Sequence, residues 1–144
     1  NTLVALSRLC AQRLRAQRTD PQAPAERSQS VSIACSLGSD PLGEFYRTQL
    51  KKADVQVLSE PGVDGTTGSV IVLTTPDAHR TMLSCWGTSA TLEYDDAMED
   101  AVANAQVLVV EGYLWEMPET IASIRKAMAT AKRNNVTVAF TASD

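Results

Sequence analysis

The sequence lacks a long apolar run and an excess of positive charge, and each absence excludes a class of function. No apolar run approaches the ~20 residues that a membrane-spanning helix requires, so we expect no membrane partner. The formal net charge is −4, whereas a protein that binds nucleic acid without sequence preference needs a basic surface. We therefore expect no nucleic-acid partner.

Cysteine is also scarce, with three residues in a chain of 144. Cys10, Cys35 and Cys85 are widely spaced and form no metal or redox motif, so the sequence predicts no metal site. Each falls within a predicted helix or strand, so we expect buried free thiols in a reducing, intracellular compartment, cytoplasmic or organellar. The sequence begins at Asn1 rather than Met and stops just after a strand, so we expect a piece of a longer protein and read no targeting signal.

The sequence does contain alternating strand and helix signals, which indicate an α/β fold with one core. Residues 17–30 carry two prolines and no apolar period, and they predict a long exposed loop. The predicted helices are 2–16, 41–52, 95–104 and 118–133. The predicted strands are 31–37, 55–58, 69–75, 80–85, 106–111 and 136–141.

Local signals define several of these elements. Asp40 is placed to cap a helix whose first residue is Pro41, where a missing N–H costs nothing. The apolar residues of that helix predict its buried stripe: Leu42, Phe45, Tyr46 and Leu50. Strand 106–111 is apolar on both faces, which predicts the middle of a parallel sheet, and strand 136–141 is expected to be buried as well. Together with helix 118–133 they form a βαβ unit, expected to be right-handed.

The stretch SVIVLTTPDAHRTMLSCWG, residues 69–87, predicts a β-hairpin because a polar turn separates two short apolar runs. A hairpin inserted in an α/β chain can leave the main sheet. It can then fold over the carboxyl ends of the strands, where open α/β sheets bind their ligands. Such a lid excludes water from the site beneath it.

Five stretches, in this order, resemble the ribokinase-like (PfkB) carbohydrate and nucleoside kinases, on the side of adenosine kinase and its plant and algal relatives. They are NTLVALSRL, GSDPLGEFYRTQL, TTGSVIVLTTPDAHRTML, GTSATL and VVEGYL. The resemblance implies a Rossmann-like ribokinase fold, with a parallel sheet flanked by helices and an inserted β-hairpin lid. It implies that residues 1–58 begin the α/β domain, 59–90 form the lid and 91–144 continue the domain.

The resemblance also implies which residues bind the substrate. Asn1 matches the asparagine whose amide bonds sugar hydroxyls, a task that suits a group with both donors and an acceptor. Thr67 and Gly68 match the lid strand that approaches the substrate, and Arg80 matches the arginine after the lid turn. Glu111 matches a strand-end acid that contacts the sugar in ribokinase. Each of these residues also has an alternative role. Asn1 would be a plain helix cap, and Thr67 and Gly68 would only shape a strand entry. Arg80 would be an exposed hairpin arginine, and Glu111 would contact a neighbouring loop.

Three further residues match the Gly-x-Asp-x-x-Gly turn of that family: Gly38, Asp40 and Gly43. We interpret them as architectural, since glycine supplies backbone freedom and aspartate caps the helix. The family phosphorylates a primary hydroxyl of a sugar or nucleoside, with ATP as donor and Mg²⁺ bridging phosphate oxygens. Its base lies in a Gly-Ala-Gly-Asp stretch that residues 1–144 do not contain. We therefore expect no catalytic residue in this chain, which would carry the substrate side and the lid.

The resemblance leaves two functions open. The parent is an active kinase acting on adenosine or on a fructose- or ribose-like sugar, or it is a catalytically inactive relative that serves as a structural or regulatory subunit of a larger assembly. Some family members pair through their lids, so the expected macromolecular partner is a second copy or the other subunits of that assembly.

Overall fold

The computed structural model describes residues 30–59 and 64–142. The predicted helix 2–16, the loop up to residue 29, Asn1 and Cys10 lie outside these residues. The helices are α1 (Pro41–Lys52), α2 (Asp96–Ala103) and α3 (Pro118–Arg133). The strands are β1 (Val31–Ile33), β2 (Val55–Val57), β3 (Ser69–Thr74), β4 (Arg80–Cys85), β5 (Val107–Glu111) and β6 (Thr137–Thr141). Two short 3-10 turns cover Gly87–Ala90 and Gly112–Glu116.

The strands form three pairs within the described part of the chain. β1 and β2 are parallel and are connected by α1, and β5 and β6 are parallel and are connected by α3. β3 and β4 are antiparallel, with Ser69 opposite Cys85 and Thr74 opposite Arg80. The α/β fold with an inserted hairpin is therefore confirmed.

The helix boundaries follow the capping signals of the sequence. The Asp40 carboxylate caps α1 by accepting the Gly43 N–H at 2.8 Å, and Pro41 is the first helical residue. α3 covers the predicted range 118–133. β1 is shorter than predicted because the chain leaves the ladder after Ile33, and the Cys35 N–H then bonds the Ser59 hydroxyl oxygen at 3.1 Å.

The predicted buried stripe of α1 is wrong in most of its members. Leu42, Phe45 and Tyr46 are exposed, and Phe45 keeps 56% of its surface open. The covered face instead follows Gly43, which is buried, with Arg47 and Leu50 half-buried below it. These positions are spaced i, i+4, i+7 and so share one face of the helix. Gly43 decides the orientation because its missing side chain lets the first turn of α1 touch another backbone.

The interpretation of β5 and β6 as buried strands is also wrong for the described residues. β5 pairs with β6 alone among them. Val107 and Val109 are exposed, while Leu108 packs on the core and Val110 is buried. Alternate side chains of a strand point to opposite faces, so only the face toward the helices is covered. In β6, Phe140 stays 54% exposed and packs edge-on against Trp115.

A small core lies between α2, α3 and the start of β6. Val102, Ala131 and Val136 are buried there, and Leu108 packs against them. Hydroxyl groups of α3 also hold the loop that leads from the hairpin to α2. The buried Thr120 hydroxyl donates to the Ala90 carbonyl at 3.1 Å, the Ser123 hydroxyl donates to the Leu92 carbonyl, and the Tyr94 hydroxyl bonds Thr130 at 2.9 Å.

The two described cysteines differ in environment. Cys35 is half-buried, and burial raises the pKa of its thiol while the Arg47 charge opposes this shift. Cys85 is exposed, so the expectation of a buried thiol is wrong there. The cause is its position at the end of a hairpin strand whose residues are all exposed. Of the helices described, none combines the length and the apolar character needed to span a membrane.

Candidate functional site at the base of the hairpin

The hairpin is connected to the rest of the protein through Thr67, two residues before β3. The Thr67 hydroxyl donates to Asp40 Oδ1 at 2.6 Å, and the Thr67 N–H donates to Asp40 Oδ2 at 2.9 Å. The Gly38 N–H in turn donates to Thr67 Oγ1 at 3.0 Å. Thr67 is 5% exposed. Its hydroxyl therefore donates one hydrogen bond and accepts another within the protein, and it lies buried in the base of the hairpin.

The same bonds define the electrostatics of Asp40. The Thr67 hydroxyl, followed by the N–H groups of Gly43 and Thr67, lowers the pKa of Asp40 below its ordinary value. Hydrogen bonds to the charged form of a carboxyl group favour that form. Asp40 is thus a charged helix cap that also holds a segment 27 residues away in sequence.

Backbone approaches backbone closely around this pair. A Cβ at position 38 would lie 2.4 Å from the Gly65 carbonyl oxygen, and one at position 43 would lie 2.2 Å from the Gly38 carbonyl oxygen. Neither position has room for a side chain, which supports the architectural interpretation of both glycines. Gly68 is constrained as well, since its Cβ would lie 2.7 Å from the Trp86 carbonyl oxygen.

The strand that leaves the hairpin returns to the same base. The Thr88 N–H donates to the Thr66 carbonyl at 2.9 Å, and the Ser89 hydroxyl donates to the Ser36 carbonyl at 3.4 Å. Gly87 allows this contact because it has φ +50° and its Cβ would lie 2.1 Å from the Thr66 carbonyl oxygen. We call residues 65–68 and 86–89, together with the turn 38–43, the hairpin base.

Beyond its base the hairpin is open on both faces. All residues of β3 and β4 are exposed, and no hydrogen bond joins residues 69–85 to any other described residue. Arg80 faces Thr74 near the tip, about 17 Å along β3 from the base. Arg80 also makes no ion pair within the described residues. The structure therefore does not bring Arg80 together with Thr67 and Gly68.

The tip is a tight turn stabilised by its own side chains. The Ala78 N–H donates to the Thr75 carbonyl at 2.9 Å, and the Thr75 N–H donates to the His79 carbonyl at 3.0 Å. The Thr75 hydroxyl bonds Asp77 and is the main cause of a lowered Asp77 pKa. Ala78 has φ +66°, a left-handed conformation that alanine rarely adopts.

Glu111 lies at the carboxyl end of β5, beside the end of β6. The Thr141 hydroxyl donates to Glu111 Oε2 at 2.5 Å, and Thr141 Oγ1 accepts the Gly112 N–H at 3.3 Å. The glutamate is half-buried, and its carboxylate retains acceptor capacity for further donors. Its position at a strand end is where open α/β sheets bind ligands. No hydrogen bond connects it to the hairpin base among the described residues.

Sequence reasoning missed one residue of the hairpin base, Thr88, and one that contacts the base, Arg47. The Arg47 guanidinium, whose side chain is 18% exposed, donates to the Gly38 carbonyl at 2.9 Å and the Leu37 carbonyl at 3.3 Å. Its position four residues after Gly43 on one helical face was the available signal. Thr88 is buried, and its hydroxyl has no hydrogen-bond partner among the described residues. No local pattern marks it, because its surroundings come from distant parts of the chain.

The described residues contain no group of three or more His, Cys, Asp or Glu side chains placed to hold a metal ion. The geometry offers a rigid hairpin base and a carboxylate at a strand end. A carboxylate at that position can accept hydrogen bonds from the hydroxyl groups of a polar ligand.

Comparison with known proteins identifies the architecture. The model of the pfkB family carbohydrate kinases matches residues 1–143. The chain belongs to this family. The crystal structure of adenosine kinase from Sinorhizobium meliloti superimposes with a TM-score of 0.72 at 28% identity, covering 80% of this chain and 36% of that one. The ribokinase-like fold is thereby confirmed for this pfkB family member.

Two other solved structures are similar to the chain. A probable sugar kinase from Rhizobium etli CFN 42 aligns with a TM-score of 0.72 at 25% identity, over 80% of this chain and 35% of that one. The fructokinase of Halothermothrix orenii, at 18% identity and a TM-score of 0.66 over 78% and 40% of the two chains, shares the fold. No curated protein sequence matches. The chain spans about a third of the length of the first solved structures that it matches.

Proposed function

We propose that this chain is the substrate-side part of an ATP-dependent kinase that transfers the ATP γ-phosphoryl group to a primary hydroxyl of a sugar or nucleoside, in the adenosine kinase branch of the family. The observation that carries the proposal is the open hairpin on a rigid base, in a pfkB family chain. Among the described residues the hairpin is bonded to the protein at its base. A hairpin held in this way can close over a small ligand and exclude water, which phosphoryl transfer requires because water competes for the phosphoryl group.

Glu111 and Asn1 are the proposed substrate contacts. The Glu111 carboxylate stands at a strand end with acceptor capacity left after its bond to Thr141, which suits a sugar diol. Asn1 lies outside the described residues. It is included because it matches the asparagine whose amide bonds sugar hydroxyls in the family. Thr67 is left out, since its N–H and its hydroxyl both donate to Asp40. Gly68 is left out because it packs closely against the Trp86 carbonyl and Ser89. Arg80 is left out as well, since it lies near the tip.

ATP and Mg²⁺ are the proposed co-substrate and metal of the whole protein. The described residues supply no metal-ligand cluster, and the Gly-Ala-Gly-Asp stretch of the family does not occur in residues 1–144. We assign no residue of this chain to either group. When bound, Mg²⁺ neutralises phosphate charge during transfer.

The test is ADP release by the protein that carries this chain, with ATP and Mg²⁺, against adenosine, other nucleosides, ribose and fructose. We expect a substrate-dependent signal that Asn1→Ala abolishes, and Glu111→Gln should raise KM about tenfold because it loses a charge-assisted hydrogen bond. Glu119→Gln is the matched control, since Glu119 is exposed in the first turn of α3. A flat response from folded protein that still binds a nucleoside or sugar would favour the non-catalytic subunit of an assembly.

The proposed macromolecular partner is a second copy, bound through the hairpin. Side chains alternate between faces along a strand, and both faces here are apolar and exposed. One face presents Val70, Val72 and Met82, and the other presents Ile71, Leu73 and Leu83. A lid needs only one apolar face for its ligand side, so the other face is available for a second hairpin.

Val72→Lys and Leu73→Lys test the second copy, because these neighbouring residues point to opposite faces. We expect one of the two variants to become monomeric in sedimentation equilibrium while the other stays dimeric. A wild-type protein that is monomeric at all concentrations contradicts the dimer and leaves the kinase proposal intact.

A further inference from the structure

We propose that Thr67 and Asp40 are positioning residues that fix the pivot of the lid, so that they set substrate affinity without touching the substrate. The inference rests on the proposed kinase function for its effect on KM, and on the geometry of the hairpin base for everything else. It assigns Asp40 a second role beyond the helix cap, and it assigns Thr67 a role different from direct substrate binding.

The first support is the bonding of the pair. Thr67 uses its N–H and its hydroxyl on the two carboxylate oxygens of Asp40, at 2.9 and 2.6 Å. Two simultaneous hydrogen bonds to one carboxylate fix the orientation of the threonine as well as its distance. Because Asp40 is itself fixed at the start of α1 through the Gly43 N–H, the entering strand is tied to a helix terminus.

The second support is that both ends of the hairpin are held at this base. The entering segment is tied to Asp40, and the leaving segment is tied to the entering one through the Thr88 N–H and the Thr66 carbonyl. Close backbone contacts at Gly38 and Gly87 leave no free space there. A closely packed region does not deform continuously. The hairpin base therefore keeps its geometry unless its contacts break.

The third support is the contrast with the hairpin above. Residues 69–85 make no hydrogen bond to the rest of the described chain, and their side chains are exposed on both faces. Motion is therefore concentrated where the hairpin leaves its base, near residues 68–69 and 85–86. The pair Thr67 and Asp40 lies next to the point where the hairpin leaves its base. It therefore determines the direction from which the lid closes.

The experiment compares Thr67→Val with Thr67→Ser in the protein that carries this chain. Valine keeps the shape of threonine but removes the hydroxyl, and serine restores the hydroxyl. Asp95→Ala is the matched control, because Asp95 caps α2 through the Met98 N–H at 2.8 Å and makes no hydrogen bond to the hairpin among the described residues. Hydrogen exchange of peptides from the hairpin base and steady-state kinetics are measured on all three variants.

We expect Thr67→Val to speed amide exchange in the segments 65–68 and 86–89 at least about tenfold. We expect it to raise the KM for the sugar or nucleoside about tenfold, with kcat changed less than about twofold. Thr67→Ser should return both quantities to within about twofold of wild type. Asp95→Ala should lower thermal stability and leave KM unchanged.

Three results overturn the proposal. Unchanged exchange in the base of Thr67→Val shows that the pair does not hold the hairpin. Faster exchange with an unchanged KM shows a purely structural role, and an equal rise in KM for Asp95→Ala shows a general effect of stability. If the wild-type protein has no kinase activity, the proposed kinase function is wrong, but the role of the pair can still be tested. The dissociation constant of the bound sugar or nucleoside is then measured in place of KM. If Thr67→Val does not fold, Asp40→Asn is measured instead, with the same expected direction.

Discussion

The substitution Gly43→Ala has two opposing effects on the free energy of unfolding. Helix propensity predicts an increase, whereas the packing of the hairpin base predicts a decrease. Gly43 is the third residue of α1, where alanine is favoured over glycine by about 1 kcal/mol. A Cβ there would lie 2.2 Å from the Gly38 carbonyl oxygen and 2.8 Å from Thr67 Oγ1. A backbone carbonyl cannot rotate away, so the overpacking cost lies at the upper end of its usual range, about 3 kcal/mol.

The expected net result is a loss of about 2 kcal/mol in the free energy of unfolding. With a urea slope of about 2 kcal/mol/M, the midpoint of a urea titration followed by circular dichroism falls by about 1 M. Ala129→Gly is the control, since Ala129 is exposed in α3 and the change reports propensity alone, a loss of about 1 kcal/mol. A midpoint of Gly43→Ala equal to or above that of wild type would refute the packing argument.

Two further predictions concern the hairpin tip and the acid stability of the base. Ala78→Gly removes the cost of about 1–2 kcal/mol for a left-handed alanine at φ +66°, so amides of residues 69–85 should exchange more slowly; faster exchange contradicts this. Asp40 has a folded-state pKa below its ordinary value of 3.8, so its stabilisation is present above 3.8 and is lost as pH falls through the folded-state pKa. Asp40→Asn should therefore be less stable than wild type at neutral pH, with a difference that narrows below pH 3.8 in urea titrations; a constant difference contradicts the linkage.

Local signals determined most of the secondary structure. Asp40 and Pro41 mark the start of α1, and the bounds of α3 agree with its apolar period and basic end. The hairpin follows from two apolar runs around Thr75–His79, since turn chemistry acts over four or five residues. Each of these signals depends on residues that are close together in the sequence. Helix ends and turns can therefore be predicted without knowing how the elements pack.

The candidate site was predictable only in part. Glu111 lies at a strand end, Asp40 caps α1, and Gly38 and Gly43 have no room for a side chain; the substrate-binding roles stay predictions. Thr67 was expected near a substrate, yet its hydroxyl is used by Asp40. Sequence spacing cannot reveal this bond, because the loop between the two residues can close in many ways.

The sequence by itself determined that this chain is an α/β protein with a hairpin of the pfkB family type, because periodicity, caps and turns are local and motifs are read in order. Only the tertiary structure decided which side chains are buried, exposed or hydrogen-bonded. It buried Thr67, left Phe45 and Cys85 exposed, and placed Arg47 on the Gly38 carbonyl. The reason is that burial depends on which distant backbones approach each other, and in this protein the missing side chains of Gly38 and Gly43 permit that approach.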